Sequence, residues 1–307
     1  MRWMNFSSLN IIVWVIFNLV ISIQEYLKYA TQQFLNVGID TASLDARILL
    51  ESVTGFSPEK LLINLSLELS EQQIKHYKEL IDQRLKFKPI AYIIGYKEFY
   101  GLNFIVNENV LIPRPDSECL VEAAIKYIKQ YNFKNILELG VGSGCLLLSI
   151  LFNSSPKIDA TAIDISDDAI AVATQNYKRL KLGNAIEFLV QNWGTNLAKK
   201  YDCIISNPPY IDTDVISKLQ PDVRDFEPRL ALDGGGDGMN CYQDIASQLS
   251  KLLNPGGIAL FEIGINQAES VTKIFHSYNF VVIEKIRDLT GVIRCLAIKF
   301  ASDIEIS

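Results

Sequence analysis

The residues most suited to chemistry lie in Ile204-Ile205-Ser206-Asn207-Pro208-Pro209-Tyr210. An apolar run from Tyr201 to Ile205 reads as a buried strand and stops abruptly at two prolines and an aromatic residue. Neither Pro208 nor Pro209 can donate to a sheet and both have φ fixed, so the chain leaves the strand as a rigid elbow. There the Asn207 side-chain carbonyl and a neighbouring main-chain carbonyl can both face outward. Two acceptors at a fixed separation suit a planar NH2 group, which offers two donors, and Tyr210 could cover its flat face. Asn-Pro is also a common turn opener, so an ordinary strand-to-loop turn remains the competing reading of this stretch alone.

A second group surrounds Ile136-Leu137-Glu138-Leu139-Gly140-Val141-Gly142-Ser143-Gly144, a strand running through a glycine-rich turn into a helix. Glycines there permit positive φ and close approach of a ligand, and the helix start offers unpaired N–H groups. The spacing is G-x-G-x-G and not the G-x-G-x-x-G of dinucleotide enzymes. Asp164 ends the next strand, 20 residues beyond Gly144. A carboxylate so placed can accept both hydroxyls of a ribose; otherwise it caps the helix that starts at Asp167. Gln191-Asn192-Trp193-Gly194 closes a third strand with groups able to hydrogen-bond and stack on an adenine.

The elements that must position these residues alternate. Strands are expected at 135–139, 160–165, 186–190, 202–206, 258–263, 281–287 and 293–300. Helices are expected near 117–131, 143–153, 167–181, 240–253 and 267–278. This is the α/β pattern of a doubly wound parallel sheet, with an antiparallel final pair joined at Thr290-Gly291. Before it, 22–88 reads as a small helical bundle. Gly38 and Gly55 act as stops, Ser57-Pro58 starts a helix and Ser70 to Gln73 forms a capping box. Leu35 and Leu44 are among the residues expected to face inward. Its interrupted basic stretch from Lys75 to Lys88 is a solvated face or a partner-docking surface. Residues 90–113 suggest short strands at Tyr92–Ile94, Phe99–Leu102, Phe104–Val106 and Val110–Ile112, turning at Asn107–Asn109. Pro113-Arg114-Pro115-Asp116 then enters a helix capped by Asp116 or Ser117, with Arg114 free to meet an anion or a substrate carbonyl.

With 307 residues, 49% of them hydrophobic, there is material for one large and one small domain. The net charge of −6 argues against a generic nucleic-acid binder, which carries a basic footprint. Five scattered cysteines and two histidines make a zinc site or a His-based triad an unfavourable reading, and a reducing, cytoplasmic setting fits. Residues 1–21 hold an apolar stretch from Ile11 to Ile21, short for a transmembrane span and without a small-x-small cleavage pattern. It reads as an interfacial helix, an export signal or, preferably, an upstream extension that the fold does not need.

Together these stretches resemble the HemK/PrmC family, the S-adenosylmethionine-dependent N5-glutamine methyltransferases of peptide chain release factors. The resemblance covers about 22 to 307. It rests on Ala42-Ser43-Leu44-Asp45-Ala46-Arg47, Leu111 to Glu118, the Gly140–Gly144 loop, Asn207-Pro208-Pro209-Tyr210, Asp222 to Pro228 and Phe261-Glu262-Ile263-Gly264. Asn-Pro-Pro-Tyr alone does not single it out, because adenine-N6 and guanine-N2 methyltransferases use it too. The resemblance implies a Rossmann-like catalytic domain over 114–307. It also implies a helical substrate-docking domain over 22–88, a β-hairpin linker over 89–113 and an extension over 1–21. It further implies that Gly140, Val141, Gly142, Ser143, Gly144, Asp164, Trp193 and Asn207 contact the cosubstrate, with no metal. Asn207, Pro208, Pro209 and Tyr210 would hold the glutamine amide, with Arg114 nearby. Asn207, Pro208 and Tyr210 would carry catalysis. The implied partners are class 1 release factors, with no nucleic-acid substrate and no stable membrane association; the alternative is an amino methyltransferase acting on a nucleic-acid base. Glu138 and Asn192 depart from the aspartates frequent in the family, and residues 1–21 have no counterpart there.

Overall fold

The computed structural model describes residues 22–154 and 157–304, so the apolar stretch expected over 1–21 lies outside the described residues. The chain divides into two compact units, Met1–Ile94 and Gly95–Ser307.

The described part of the first unit is helical: α1 (Ile23–Asn36), α2 (Ala42–Thr54), α3 (Pro58–Ile63), α4 (Glu71–Arg84) and α5 (Ile90–Ile94). Local chemistry fixes the ends. Ser22 with Glu25 and Ser70 with Gln73 form reciprocal capping boxes on α1 and α4, and Gly55 closes α2 in the left-handed conformation at φ 67°. The buried stripes are narrower than the sequence suggests. Tyr26, Ala30 and Phe34 line one face of α1, leaving Leu35 53% exposed. Ala42, Asp45, Ala46, Leu49 and Leu50 line one face of α2, leaving Leu44 45% exposed. Residues 92–94, expected to be extended, form the end of α5 instead.

Asp45 is buried because Arg84 meets it. Arg84 Nε donates to Asp45 Oδ2 at 2.7 Å, and its Nη1 donates to the carbonyls of Phe87 and Lys88 at 3.3 and 3.2 Å. This pair ties α2 to the chain that leaves α4. Removing one partner strands the other charge in an apolar interior. Asp45→Ala is expected to destabilise the helical unit by about 3 kcal/mol or more, measured by urea unfolding followed by circular dichroism.

The second unit opens with a hairpin of β1 (Tyr96–Phe99) and β2 (Leu102–Ile105), paired Phe99 to Leu102. Its turn is Tyr100-Gly101, with φ of 51° and 74°, and not Asn107–Asn109 as expected. Two consecutive left-handed residues match the right-handed twist of the strands and close the hairpin in two residues. No strand forms at Val110–Ile112. A 3-10 turn, Pro115–Ser117, precedes α6 (Glu118–Tyr131), and no side chain caps that helix. Asp116 pairs with Arg294 instead, at 2.7 Å.

Strands and helices then alternate through β3 (Asn135–Leu139), α7 (Cys145–Asn153), β4 (Asp159–Asp164), α8 (Asp167–Leu180), β5 (Ile186–Val190) and β6 (Tyr201–Ser206). The connection after β6 carries α9 (Thr213–Ile216), α10 (Pro221–Arg224) and a 3-10 turn at Arg229–Ala231. It is followed by α11 (Asn240–Leu252), β7 (Leu253–Glu262), α12 (Ala268–Ser277), β8 (Phe280–Arg287) and β9 (Ile293–Phe300). The seven-stranded sheet runs β5-β4-β3-β6-β7-β9-β8, parallel except that β9 is antiparallel to both neighbours. Strand residues alternate between two cores. Ile136, Cys203, Ile205 and Leu260 pack with Leu120, Leu147 and Ile150 of α6 and α7, whereas Leu137, Ile204 and Phe261 pack with Tyr242, Leu249 and Phe275 of α11 and α12. The chain direction across the sheet reverses between β3 and β6, the position at which such sheets open a crevice beyond their strand ends.

Candidate active site

A cavity of ≈ 310 Å³ lies at those strand ends, within the size range of about 300–1,000 Å³ typical of small-molecule sites. Its floor is the loop after β3. Gly144 sits at φ 79° at the start of α7, where a side-chain carbon would lie 3.0 Å from Leu148 Cδ1 and 3.4 Å from Ala173 Cβ. Only glycine lets the turn adopt this angle and lets α7 start against α8. The Gly140 and Val141 amides donate to the Ile163 carbonyl at 2.9 Å, fastening the loop to the end of β4.

Asp164 accepts the Gly142 amide at 2.9 Å on Oδ2 and the Ser166 amide at 3.0 Å on Oδ1. Burial pushes its carboxyl above the usual range, against the pull of these amides. The helix that follows is capped by Ser166, which accepts from the Ala169 amide at 3.2 Å, so Asp164 is not the cap. Each oxygen keeps acceptor capacity beside the cavity, as two adjacent hydroxyls require. Trp193, itself at φ 46°, lies over Gly140. The Gln191 Oε1 and Ser143 Oγ atoms are buried without a hydrogen-bond partner among the described residues, and both residues line the cavity. Such orphans are uncommon, and beside a cavity they are open to a polar ligand. Glu138, also lining the cavity, is fully buried; burial pushes its carboxyl well up, opposed by the Leu147 amide and assisted by Asp164.

The elbow after β6 stands on the opposite wall. Ser206 Oγ donates to the Leu139 carbonyl at 2.7 Å, holding the ends of β6 and β3 together. Asn207 and Pro209 line the cavity, whereas Pro208 is buried and neither it nor Tyr210 is a lining residue. Asn207 Nδ2 donates to Ser117 Oγ at 3.4 Å, which leaves the amide oxygen on the other branch of the side chain. Tyr210, expected to cover a planar amine, turns beneath the elbow; its phenol donates to Glu262 Oε1 at 3.3 Å and its ring packs on the core between the sheet and α11.

The connection over 211–240 grips this elbow by its backbone. Ile211 and Gly234 exchange main-chain bonds with Leu232 and Ile211 at 3.0 and 2.8 Å, and Gln267 Nε2 donates to the Tyr210 carbonyl at 2.8 Å. A side-chain carbon at Gly238 would lie 2.3 Å from the Tyr210 oxygen, at φ 74°. Pro228, Leu230, Ala231 and Asp233 from this connection line the cavity, as do Asn109 to Leu111 after the hairpin. Arg114 lines it too, but its guanidinium pairs with the buried Glu227, which also accepts the Ile112 amide at 3.2 Å. Arg114 therefore joins the two segments over the cavity, and its side chain remains 36% exposed for any further contact. Ser117, Glu227, Leu230, Asp233 and Glu262 were not singled out as site residues by sequence reasoning. The one available signal was that Ser117, Glu227 and Glu262 fall within the stretches Leu111 to Glu118, Asp222 to Pro228 and Phe261 to Gly264. Among the described residues no group of three or more His, Cys, Asp or Glu side chains is arranged to hold a metal ion. Gly238→Ala is expected to displace the elbow and lower turnover by about 100-fold, the cost of a misplacement near 1 Å, while leaving the unfolded fraction small; steady-state rates beside a thermal melt check this.

A parallel sheet reversed by a final antiparallel strand, a glycine loop, an acidic residue ending the second strand of the sheet and an Asn-Pro-Pro-Tyr elbow define a Rossmann-like S-adenosylmethionine-dependent methyltransferase. Family profiles agree: one described as the PrmC N-terminal domain matches residues 25–95, and one described as the methyltransferase small domain matches 117–220. The chain is 37% identical over 262 residues to the release factor glutamine methyltransferase of Caulobacter vibrioides, spanning 85% of this chain and 90% of that protein. It is 40% identical over 256 residues to the release factor glutamine methyltransferase of Clostridium acetobutylicum, spanning 81% and 88%. A third relative, the bifunctional methyltransferase of Rickettsia felis, is 40% identical over 298 residues, and the chain spans about half the length of that protein (56%). The chain belongs to the release factor glutamine methyltransferase family.

Proposed function

We propose that this enzyme transfers a methyl group from S-adenosylmethionine to the side-chain amide nitrogen, N5, of the glutamine in the Gly-Gly-Gln loop of class 1 peptide chain release factors. The observation that carries this reading is Asn207. Its Nδ2 is tied to Ser117 at the edge of a cavity that the glycine loop and Asp164 also line, so its carbonyl is the branch left to accept from an incoming NH2 group. The cavity's chemistry fits the cosubstrate. Asp164 would accept ribose hydroxyls, Trp193 and Gln191 would flank the base, and the loop from Gly140 to Gly144, including Val141 and Ser143, would bear on the remainder.

S-adenosylmethionine supplies a methyl group on a sulfonium, which is already a good leaving group. The task left to the protein is the nucleophile, because an amide nitrogen's lone pair is delocalised into its carbonyl. Asn207 and the Pro208 main-chain carbonyl accept the two N–H groups, which fixes the nitrogen and favours positive charge developing on it. Pro209 limits the approach, and Tyr210 supports the elbow from below. Arg114, at the rim, is assigned to the substrate's main chain, and the helical unit to docking the protein substrate. The net charge of −6 fits a protein substrate better than a nucleic acid. No helix among the described residues is long and apolar enough to cross a membrane, and a cytoplasmic site of action fits the substrate proposed.

Incubation with labelled S-adenosylmethionine and either a release factor or DNA should place label in the release factor; label in the nucleic acid alone would overturn the reading. Asn207→Ala is expected to lower the transfer rate by about 100-fold or more while only partly weakening cosubstrate binding, followed through Trp193 fluorescence.

A further inference from the structure

Behind the elbow lies a carboxyl group that the methyl transfer does not use. Glu262 ends β7, next to the strand that carries Asn207, and is 1% exposed. Its Oε1 accepts the Tyr210 phenol, and its Oε2 is buried with no hydrogen-bond partner among the described residues. Ser117, 3% exposed, lies between this carboxyl and Asn207: its Oγ accepts from Asn207 Nδ2, and its hydroxyl favours the charged form of Glu262. The turn that bears Ser117 is in turn pinned by the Asp116–Arg294 ion pair, and Arg294 is held by Asp288 at 3.1 Å. The elbow's supporting tyrosine and its clamp asparagine therefore both rest on one buried acid, Tyr210 directly and Asn207 through a single hydroxyl.

Resting on the functional reading above, we propose that Glu262 is a positioning residue for the amide clamp: its ionised carboxylate draws the Ser117 hydroxyl and the Tyr210 phenol toward itself, which leaves the Ser117 lone pairs to receive Asn207 Nδ2 and holds the Asn207 carbonyl toward the substrate nitrogen. A hydroxyl has one proton to donate. When Ser117 gives it to the carboxylate, its oxygen can only accept from Asn207, and the planar amide has one orientation. When Glu262 is neutral, its own proton can go to Ser117, whose hydroxyl is then free to donate to Asn207 and favour the flipped amide. The flip would present an NH2 group to the substrate NH2, two donors facing each other.

The acid sits where this change falls in the working range. Burial raises the Glu262 carboxyl to about 7, opposed by Ser117, Tyr210 and Arg294 and assisted by Asp116. Tyr242, whose phenol donates to the Glu262 main-chain carbonyl at 2.8 Å, and the thiols of Cys119, Cys145 and Cys295 also feel its charge; all four are pushed up and stay neutral through this range. Because the folded-state value lies above the ordinary 4.5, this group's contribution to stability is full below 4.5 and is lost progressively as pH rises from there through 7. Activity thus rises with pH as the stability contribution completes its fall, an opposition that a merely structural carboxyl would not produce.

The test is the single-turnover rate of methyl transfer to a release factor, at saturating S-adenosylmethionine, between pH 6 and 8, for the full chain and for Glu262→Gln and Ser117→Ala. The unsubstituted protein should show a rate that rises with pH through about 7. Glu262→Gln should lose that rise and run at least roughly tenfold slower at pH 8, the worth of one hydrogen bond to a charged group, with cosubstrate affinity unchanged. Ser117→Ala should be slowed to a similar extent, and the double variant should be no slower than Ser117→Ala alone. A Glu262→Gln enzyme that keeps the rise, or a Ser117→Ala enzyme that keeps the full rate, overturns the assignment. If Glu262→Gln does not fold, Ser117→Ala decides alone. Failure of the unsubstituted protein to methylate a release factor overturns the functional reading and this assignment with it, whereas normal activity with unaltered variants overturns this assignment only.

Discussion

The structure depends on a strand that is forbidden to continue. β6 lies in the middle of the sheet, paired with β3 on one side and β7 on the other, and Pro208 and Pro209 end its ladder within one residue of Asn207. A central strand has no solvent edge at which to fray, so its end is as fixed as its middle. The hydroxyl of Ser206 on the Leu139 carbonyl and the backbone grip of 211–240 on Pro209 and Tyr210 complete the constraint. Methyl transfer to an amide nitrogen needs this. The nucleophile is poor and no group in the site has to be consumed, so the gain comes from holding two N–H groups at a fixed place.

Burial governs the carboxyl groups that gather around the glycine loop and the elbow. Glu138, Asp164, Glu227 and Glu262 all hold protons more tightly than exposed carboxyls because burial costs each of them its water. Backbone amides meet Glu138 and Asp164, and an arginine meets Glu227. Of the four, Glu138 and Asp164 line the cavity, where their oxygens offer acceptors to the hydroxyl and ammonium groups of the cosubstrate. Glu227 has a further role: with Arg114 it bridges two segments, 109–114 and 228–233, that are far apart in sequence and together cover the cavity.

The strand-helix alternation was readable because buried parallel strands give short apolar runs and amphipathic helices give a 3.6 period. All seven sheet strands, the antiparallel final pair and the capping box at Ser70 follow from those signals. The Gly140–Gly144 loop, Asp164, Trp193, Asn207 and Pro209 could be assigned to one place because each follows a strand, and strand ends in a parallel sheet lie together. Several readings failed for definable reasons, two of them instructive. Tyr92 to Ile94 is too short for its period to separate helix from strand. The hairpin turn was sought at polar Asn107–Asn109, although Gly101 already offered the positive φ that a two-residue turn needs. The contact of the Tyr210 phenol with a buried glutamate 52 residues away leaves no local trace in the sequence. Long-range polar pairs such as Arg114 with Glu227 and Ser117 with Asn207 are invisible for the same reason: periodicity and propensity report on neighbours in sequence.

The chemistry turns on the identity of the nitrogen that the elbow holds. Tandem mass spectrometry of a release factor incubated with this protein and S-adenosylmethionine locates the added methyl group residue by residue. One methyl on the glutamine side chain of the Gly-Gly-Gln loop, absent when that glutamine is replaced by glutamate, is the predicted result. A methyl on any other residue, or an unmodified glutamine beside a methylated nucleic acid, would contradict it.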